Sequence, residues 1–175
     1  MKLHLDQIGE SPKDLAYVET VDELNARLTA GSGDFRVAPG LGVDVGAYRA
    51  GLDVIVEGHL HGSVLGTCAR CLEDYAFPLE LPFRVVLTPR VAAIEGGELD
   101  EEDLGIGFYE GEDIDVTALV HEQAILALPT RALCREDCRG LCPRCGANLN
   151  GDPCGCSVVA EDPRLAPFRA LARRT

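Results

Sequence analysis

The sequence predicts an α+β protein: an antiparallel sheet packed against one or two helices, with a helix-poor cysteine-rich module toward the C-terminal end. Three observations predict it. Period-two alternation of apolar and polar residues runs through 52–65 and again through 75–87. Two other stretches, 20–31 and 113–129, repeat apolar residues at helical spacing. Six of the eight cysteines fall between Cys134 and Cys156, in a stretch whose only sizeable aliphatics are Leu141 and Leu149. At 175 residues the chain suits one domain with a small appendage. The expected division is an α+β domain over 1–130 and a cysteine-rich, zinc-binding module with a basic tail over 131–175.

Leu3 and Leu5, set between polar neighbours, predict a short strand at the start. In "TVDELNARLTAGSG", Thr20 and Glu23 have capping-box spacing, Val21, Leu24 and Leu28 form one stripe, and Gly31 can end the helix. A glycine-bearing connection then leads to "GLDVIVEGHLHGSVLGTCARC". There Leu52, Val54, Val56, Leu60 and Val64 share one face and Asp53, Glu57, His59, His61 and Ser63 the other, with a bend or bulge expected at Gly58 and Gly62. His59 and His61 read as surface residues rather than ligands.

In the second strand Tyr75, Phe77, Leu79, Leu81, Phe83, Val85 and Leu87 alternate. Pro78 and Pro82 make it an edge strand or a broken one. Cys68-Ala-Arg-Cys71 lies between the two strands, at or near a hairpin tip. Residues 91–115 read as an exposed acidic loop. In "DIDVTALVHEQAILALP", Val116, Leu119, Val120, Ala124 and Ala127 line one helical face and Pro129 ends it. The tail "DPRLAPFRALARRT" predicts a short basic amphipathic helix or a frayed end.

The net charge of −13 is unevenly placed. Residues 91–115 hold ten acidic residues and no Lys or Arg, whereas from Arg131 onward eight Arg face five acids. So acidic a protein is a poor general nucleic-acid binder, because affinity comes from neutralised phosphates. The start of the chain has no apolar run suited to a signal peptide or membrane span, which gives a cytoplasmic expectation. In that reducing compartment cysteines bind metal more readily than they form disulfides.

Cys142-Pro-Arg-Cys145-Gly146 is the strongest local motif. A Cys-x-x-Cys turn converges two sulfurs on one ion while backbone N–H groups point at the thiolates, and Gly146 can take a positive φ. Cys154-Gly-Cys156 follows nine residues beyond Cys145, with Asn148, Asn150, Gly151 and Pro153 building turns; Cys134 and Cys138 precede it. Thiolates in fours select zinc or an iron–sulfur cluster. Tight turns in a module with little core favour structural zinc, whose apparent binding energy in such peptides is about 10–16 kcal/mol. A thioredoxin-type pair lacks its strand-to-helix setting. A catalytic zinc site normally keeps an open position and often a His, and 131–175 contains no His. His121-Glu122 resembles half a zinc-peptidase motif, but position 125 is Ile. No phosphate loop or serine elbow is present, so a non-enzymatic protein is expected.

Eight thiols divide into two groups of four: Cys142, Cys145, Cys154 and Cys156 in one, and Cys134 and Cys138 with Cys68 and Cys71 in the other. The alternative is a single site drawn from the six clustered cysteines, with Cys68 and Cys71 left as thiols. Spacing alone leaves both open.

Four pieces in order, "CARCLEDY", "DIDVTALVHEQAILALP", "CREDCRGLCPRCGANLNGDPCGC" and "DPRLAPFRALARR", resemble the YceD family of large ribosomal RNA subunit accumulation proteins. The long cysteine motif is the specific part; the helix and tail support it. The resemblance implies a non-enzymatic bacterial factor in synthesis or accumulation of large-subunit ribosomal RNA. It also implies two separable zinc sites, because some relatives keep the Cys-x-x-Cys hairpin and lack the four downstream cysteines. A zinc-dependent or thiol-redox enzyme is the alternative, and zinc storage or sensing a third reading.

The expected partners are ribosomal proteins or a pre-ribosomal particle. Basic ribosomal proteins would meet the acidic 91–115 segment. Ribosomal RNA would meet Arg131, Arg135, Arg139, Arg144, Arg164, Arg169, Arg173 and Arg174. Neither a membrane nor a small-molecule substrate is expected.

Overall fold

The computed structural model describes residues 1–31, 33–90, 106–151 and 154–156. Along the chain run β1 (Lys2–His4), β2 (Lys13–Glu19), α1 (Asp22–Ala30), β3 (Phe35–Val37), β4 (Leu41–Ala50), β5 (Asp53–Thr67), β6 (Asp74–Pro89), β7 (Ile106–Tyr109), β8 (Asp113–Asp115) and α2 (Val116–Leu126). Six strands make one sheet in the order β2-β4-β5-β6-β7, with β3 beside β5; β1 and β8 pair separately. The protein is thus α+β, built on an antiparallel meander. One pairing departs from the expected antiparallel pattern: β7 joins β6 in parallel, over Val86–Pro89.

Both helices cover the same face of the sheet. Val43, Val45, Val54, Val56, Leu60, Val64, Leu79 and Leu87 point into a core shared with Val21 and Leu24 at α1 and with Val116, Val120 and Ala124 from α2. Each fully buried Val or Leu contributes about 1.5–3 kcal/mol. Asp115 caps α2 by accepting from the Ala118 N–H at 3.2 Å. On the opposite face Asp44, Glu57, His59, His61 and Glu80 stay solvated.

Several expectations change. Thr20 does not cap α1: the helix starts beyond Val21, with no side-chain capping bond, and the Thr20 N–H and hydroxyl turn to the neighbouring Glu19 carboxylate. Gly31 does end that helix, donating to Arg27 and Leu28 carbonyls. The connection before residue 52 contains β3 and β4. Gly58 and Gly62 make no bulge, since β5 keeps one continuous register with β6 through both and with β4 through Gly58. Of the acidic segment, 106–109 and 113–115 are strands rather than loop, and 91–105 lies outside the described residues. The expected tail helix also lies outside them. β6 is unbroken. Among the described residues its outer edge is open along 74–85, where the missing N–H groups of Pro78 and Pro82 cost no ladder bond.

The β5–β6 hairpin runs on past the end of β4 and carries its tip, residues 68–73, to the chain that follows α2.

Candidate metal centre

The hairpin tip is a tight knuckle. Leu72 N–H donates to the Cys68 carbonyl at 2.8 Å, and Cys68 N–H to the Glu73 carbonyl at 2.9 Å. Thr67 closes the base through its hydroxyl to Asp74 at 2.8 Å. The chain after α2 docks on this tip by main-chain bonds, Ala69 N–H to Ala132 and Leu141 N–H to Arg70. The Arg70 guanidinium donates to the carbonyls of Glu136 and Cys138, both at 2.9 Å. These contacts bring Cys134 and Cys138 over Cys68 and Cys71. Sγ separations are 3.8 Å for Cys68–Cys138 and 3.7 Å for Cys71–Cys134, and all four sulfurs lie within 4.8 Å of one another. Cys68, Cys71 and Cys138 are buried.

A second knuckle repeats the turn. Gly146 N–H donates to the Cys142 carbonyl at 2.9 Å, as Leu72 does to Cys68. The residue after the second cysteine has positive φ in both, 59° at Leu72 and 73° at Gly146. Leu141 and Asn148 form an isolated antiparallel bridge across it. Cys142, Cys145, Cys154 and Cys156 converge here, again with all sulfurs within 4.8 Å. Cys142 is buried and Cys145 exposed.

Asn150 lies between the two clusters. Its Nδ2 donates to Cys138 Sγ at 3.2 Å, while its Oδ1 accepts from the Arg139 N–H and from Arg135, each at 2.8 Å. Sequence reasoning saw Asn150 only as a turn residue and gave Arg70 no role. A polar side chain just beyond a Cys-x-x-Cys pair carries no periodicity that would reveal its target.

The surroundings prepare thiolates. Burial pushes Cys68 up, but N–H donation from Cys134, Cys71 and Arg70 outweighs it and holds the thiol at about 6. Backbone N–H groups of Arg144 and Cys145 bring Cys142 to about 6. The Asn150 amide lowers Cys138. Burial raises Cys134 to about 12, and the neighbouring Cys145 raises Cys156 to about 12. Each group of four therefore mixes thiols poised to ionise with thiols that hold their protons, which a cation would displace.

The donor set fits a metal. All eight cysteines are free thiols. Sulfurs bound at about 2.3 Å in a tetrahedron stand about 3.8 Å apart, matching the 3.8 and 3.7 Å separations seen here. Two clusters of four cysteines can thus each hold an ion. Bound there, an ion would supply cross-linking of the two knuckles to their partner segments. His121 belongs to no such set: it is 1% exposed in the core, with Nε2 3.8 Å from Glu19 Oε1.

No helix among the described residues is long and apolar enough to cross a membrane. No solved structure matches the chain. An uncharacterized protein of Mycobacterium tuberculosis is 34% identical over 128 residues, 72% of this chain, and the chain spans 59% of that relative's length. The uncharacterized protein YlbN of Bacillus subtilis is 26% identical over 99% of this chain and 98% of its own length. A chloroplastic protein of Arabidopsis thaliana, named large ribosomal RNA subunit accumulation protein YCED homolog 1, is 25% identical over 85% of this chain and 53% of its own length. The family described as large ribosomal RNA subunit accumulation protein YceD matches residues 56–172, a span that takes in every cysteine, and the chain belongs to that family.

Proposed function

We propose that the chain is a non-enzymatic, cytoplasmic factor in large-subunit ribosomal RNA accumulation, stabilised by two structural zinc ions. Family membership supports the ribosomal part. The observation that carries the structural part is the pair of tetrathiol clusters. Cys68, Cys71, Cys134 and Cys138 would hold one ion and Cys142, Cys145, Cys154 and Cys156 the other, leaving no ligand position for substrate. Sulfurs at tetrahedral spacing suit one metal atom each. An iron–sulfur cluster spreads its four cysteines over two or four irons, so the sulfurs as a set stand farther apart. The division at residue 130 follows the same logic: 1–130 has the apolar sheet face, and 131–175 depends on its ions.

The acidic 91–115 segment is read as a contact for a basic ribosomal protein and the Arg-rich end as a weaker contact for ribosomal RNA, within a pre-ribosomal particle. Opposite charges steer the first encounter, and net charge opposes the second.

The test is recovery of the tagged protein from cells with sequencing of bound RNA and identification of bound proteins, in parallel with elemental analysis. Two zinc per chain and enrichment of large-subunit components are expected. Reversal of Glu101, Glu102 and Asp103 to Lys should reduce recovery of ribosomal proteins at low salt; unchanged recovery would remove the acidic contact. Exchangeable coordination, or a reactive Cys145 thiol in the metal-loaded protein, would favour the zinc-dependent or thiol-redox enzyme instead.

A further inference from the structure

The solvated face of the sheet carries a second kind of donor cluster. Asp44 on β4 and His59 and His61 on β5 place their ligand atoms within 4.8 Å of one another. Asp44 pairs directly with His59 in the β4–β5 register, yet its carboxylate reaches diagonally to His61 Nδ1 at 3.6 Å. His59 does the same on the other side, with Nε2 3.4 Å from Glu80 Oε2 on β6. The two rings stack, centroids 6.0 Å apart and planes 20° from parallel.

Gly42 opens room for this arrangement. A Cβ there would clash with the His61 ring, whose Nε2, Cε1 and Cδ2 are its three nearest atoms. His61 thus lies flat over bare backbone, which turns Nδ1 toward Asp44. Any side chain at 42 would push the ring away.

We propose that Asp44, His59 and His61 form a third metal site, which takes a borderline divalent transition-metal cation through two imidazoles and one carboxylate. That donor set suits nickel, zinc or copper, and not the hard calcium or magnesium ions. Glu80 serves as the outer carboxylate that orients His59, the usual partner of a ligating imidazole. The three donors are partly or fully exposed, so side-chain rotation alone can draw them to bonding distance. Cys68 stands seven residues beyond His61 along the hairpin, about 23 Å at strand rise, so the site is separate from the thiol clusters. Three protein ligands leave positions open to solvent, unlike a closed tetrathiolate.

Calorimetric titration with nickel(II) alone of the tag-free protein, carrying zinc at two equivalents in the thiol clusters only, tests this. One saturable nickel per chain is expected in the unaltered protein. His61→Gln, which removes a ligand, and Gly42→Ala, which removes none but displaces the ring, should each weaken binding by at least about tenfold. His4→Gln should leave it unchanged; His4 is another partly exposed imidazole, beside Asp6 and Glu112, and belongs to no donor group among the described residues. Circular dichroism of each variant establishes that the sheet is intact. No saturable event, equal binding in the unaltered and His61→Gln proteins, or loss only in His4→Gln would each overturn the proposal.

Discussion

Cys71 and Cys134 stand 63 residues apart in sequence and hold their sulfurs 3.7 Å apart. Everything between them, the second half of the sheet and all of α2, is a loop closed at that point. Closing so long a loop removes unfolded-state entropy, as any cross-link does. Arg70, reaching the carbonyls of Glu136 and Cys138, and the Leu141–Arg70 main-chain bond hold the same junction without an ion.

Cys71→Ser should therefore remove one of the two metal equivalents and loosen the junction without dissolving it. Hydrogen exchange is expected to accelerate at 68–73 and 131–141, while Val54–Leu60 and Leu79–Leu87 keep their protection. Global unfolding of the sheet in this variant would show that the closed loop, rather than the core, holds the fold.

Cys145→Ser should act more locally. Its cluster lies within 142–156 and takes no ligand from the sheet. Loss of one metal equivalent with faster exchange confined to 142–151 is the expected result. Metal content unchanged at two would remove Cys145 from the ligand set.

The sheet's inner face and the second helix were legible in the sequence because burial on one side writes a period directly. Val54, Val56, Leu60 and Val64 alternate, and all are buried. β4 was not legible for a related reason: it is buried on both faces along much of its length, and Gly42 and Gly46 stand where polar alternation would have marked a strand. Cysteine content pointed to the thiol clusters, but their pairing depends on the hairpin overrunning β4, a tertiary fact. The cluster on the polar face was read as ordinary surface, since Asp44 is adjacent to His59 only through the sheet register.

Asn150→Ala should weaken the first centre although Asn150 supplies no ligand. Its amide donates to Cys138 Sγ at 3.2 Å and is the main influence lowering that thiol. Outer partners of this kind typically matter by about 10–100-fold in metal affinity. Competition with a chromophoric chelator should show one of the two equivalents released more readily by about that factor, the other unchanged. Equal release from both, as in the unaltered protein, would mean the bond is structural only.

The two knuckles make a matched backbone experiment. Leu72 holds a positive φ of 59° that costs a side-chain-bearing residue about 1–2 kcal/mol, whereas Gly146 holds 73° without that cost. Leu72 is 64% exposed, so its side chain contributes little packing to set against the strain. Gly146→Ala should destabilise the metal-loaded protein by about 1 kcal/mol, and Leu72→Gly should be neutral or stabilising. Denaturant midpoints measure both. Loss of stability in Leu72→Gly would show that packing of the leucine side chain within this chain outweighs the strain of its positive φ.

Gly58 on β5 and Gly42 on β4 lie on opposite faces of the sheet, Gly58 paired with Val45 on the core face and Gly42 with His61 on the solvated one, and they predict opposite outcomes. A Cβ on Gly58 would clash with the Asp44 carbonyl oxygen and stand 3.0 Å from Val45 Cα and 3.2 Å from the Phe83 ring. Two of those neighbours are backbone of the paired strand, which cannot yield without moving β4 off β5. At Gly42 the nearest obstruction is the partly exposed His61 imidazole, a side chain that can rotate away. Overpacking costs typically run about 1–3 kcal/mol, with backbone displacement at the upper end. Gly58→Ala should thus lose about 2–3 kcal/mol in denaturant unfolding, and Gly42→Ala should stay within about 1 kcal/mol of the unaltered protein. Near-equal losses in the two would mean that β4 and β5 lie farther apart at Gly58 than this register places them.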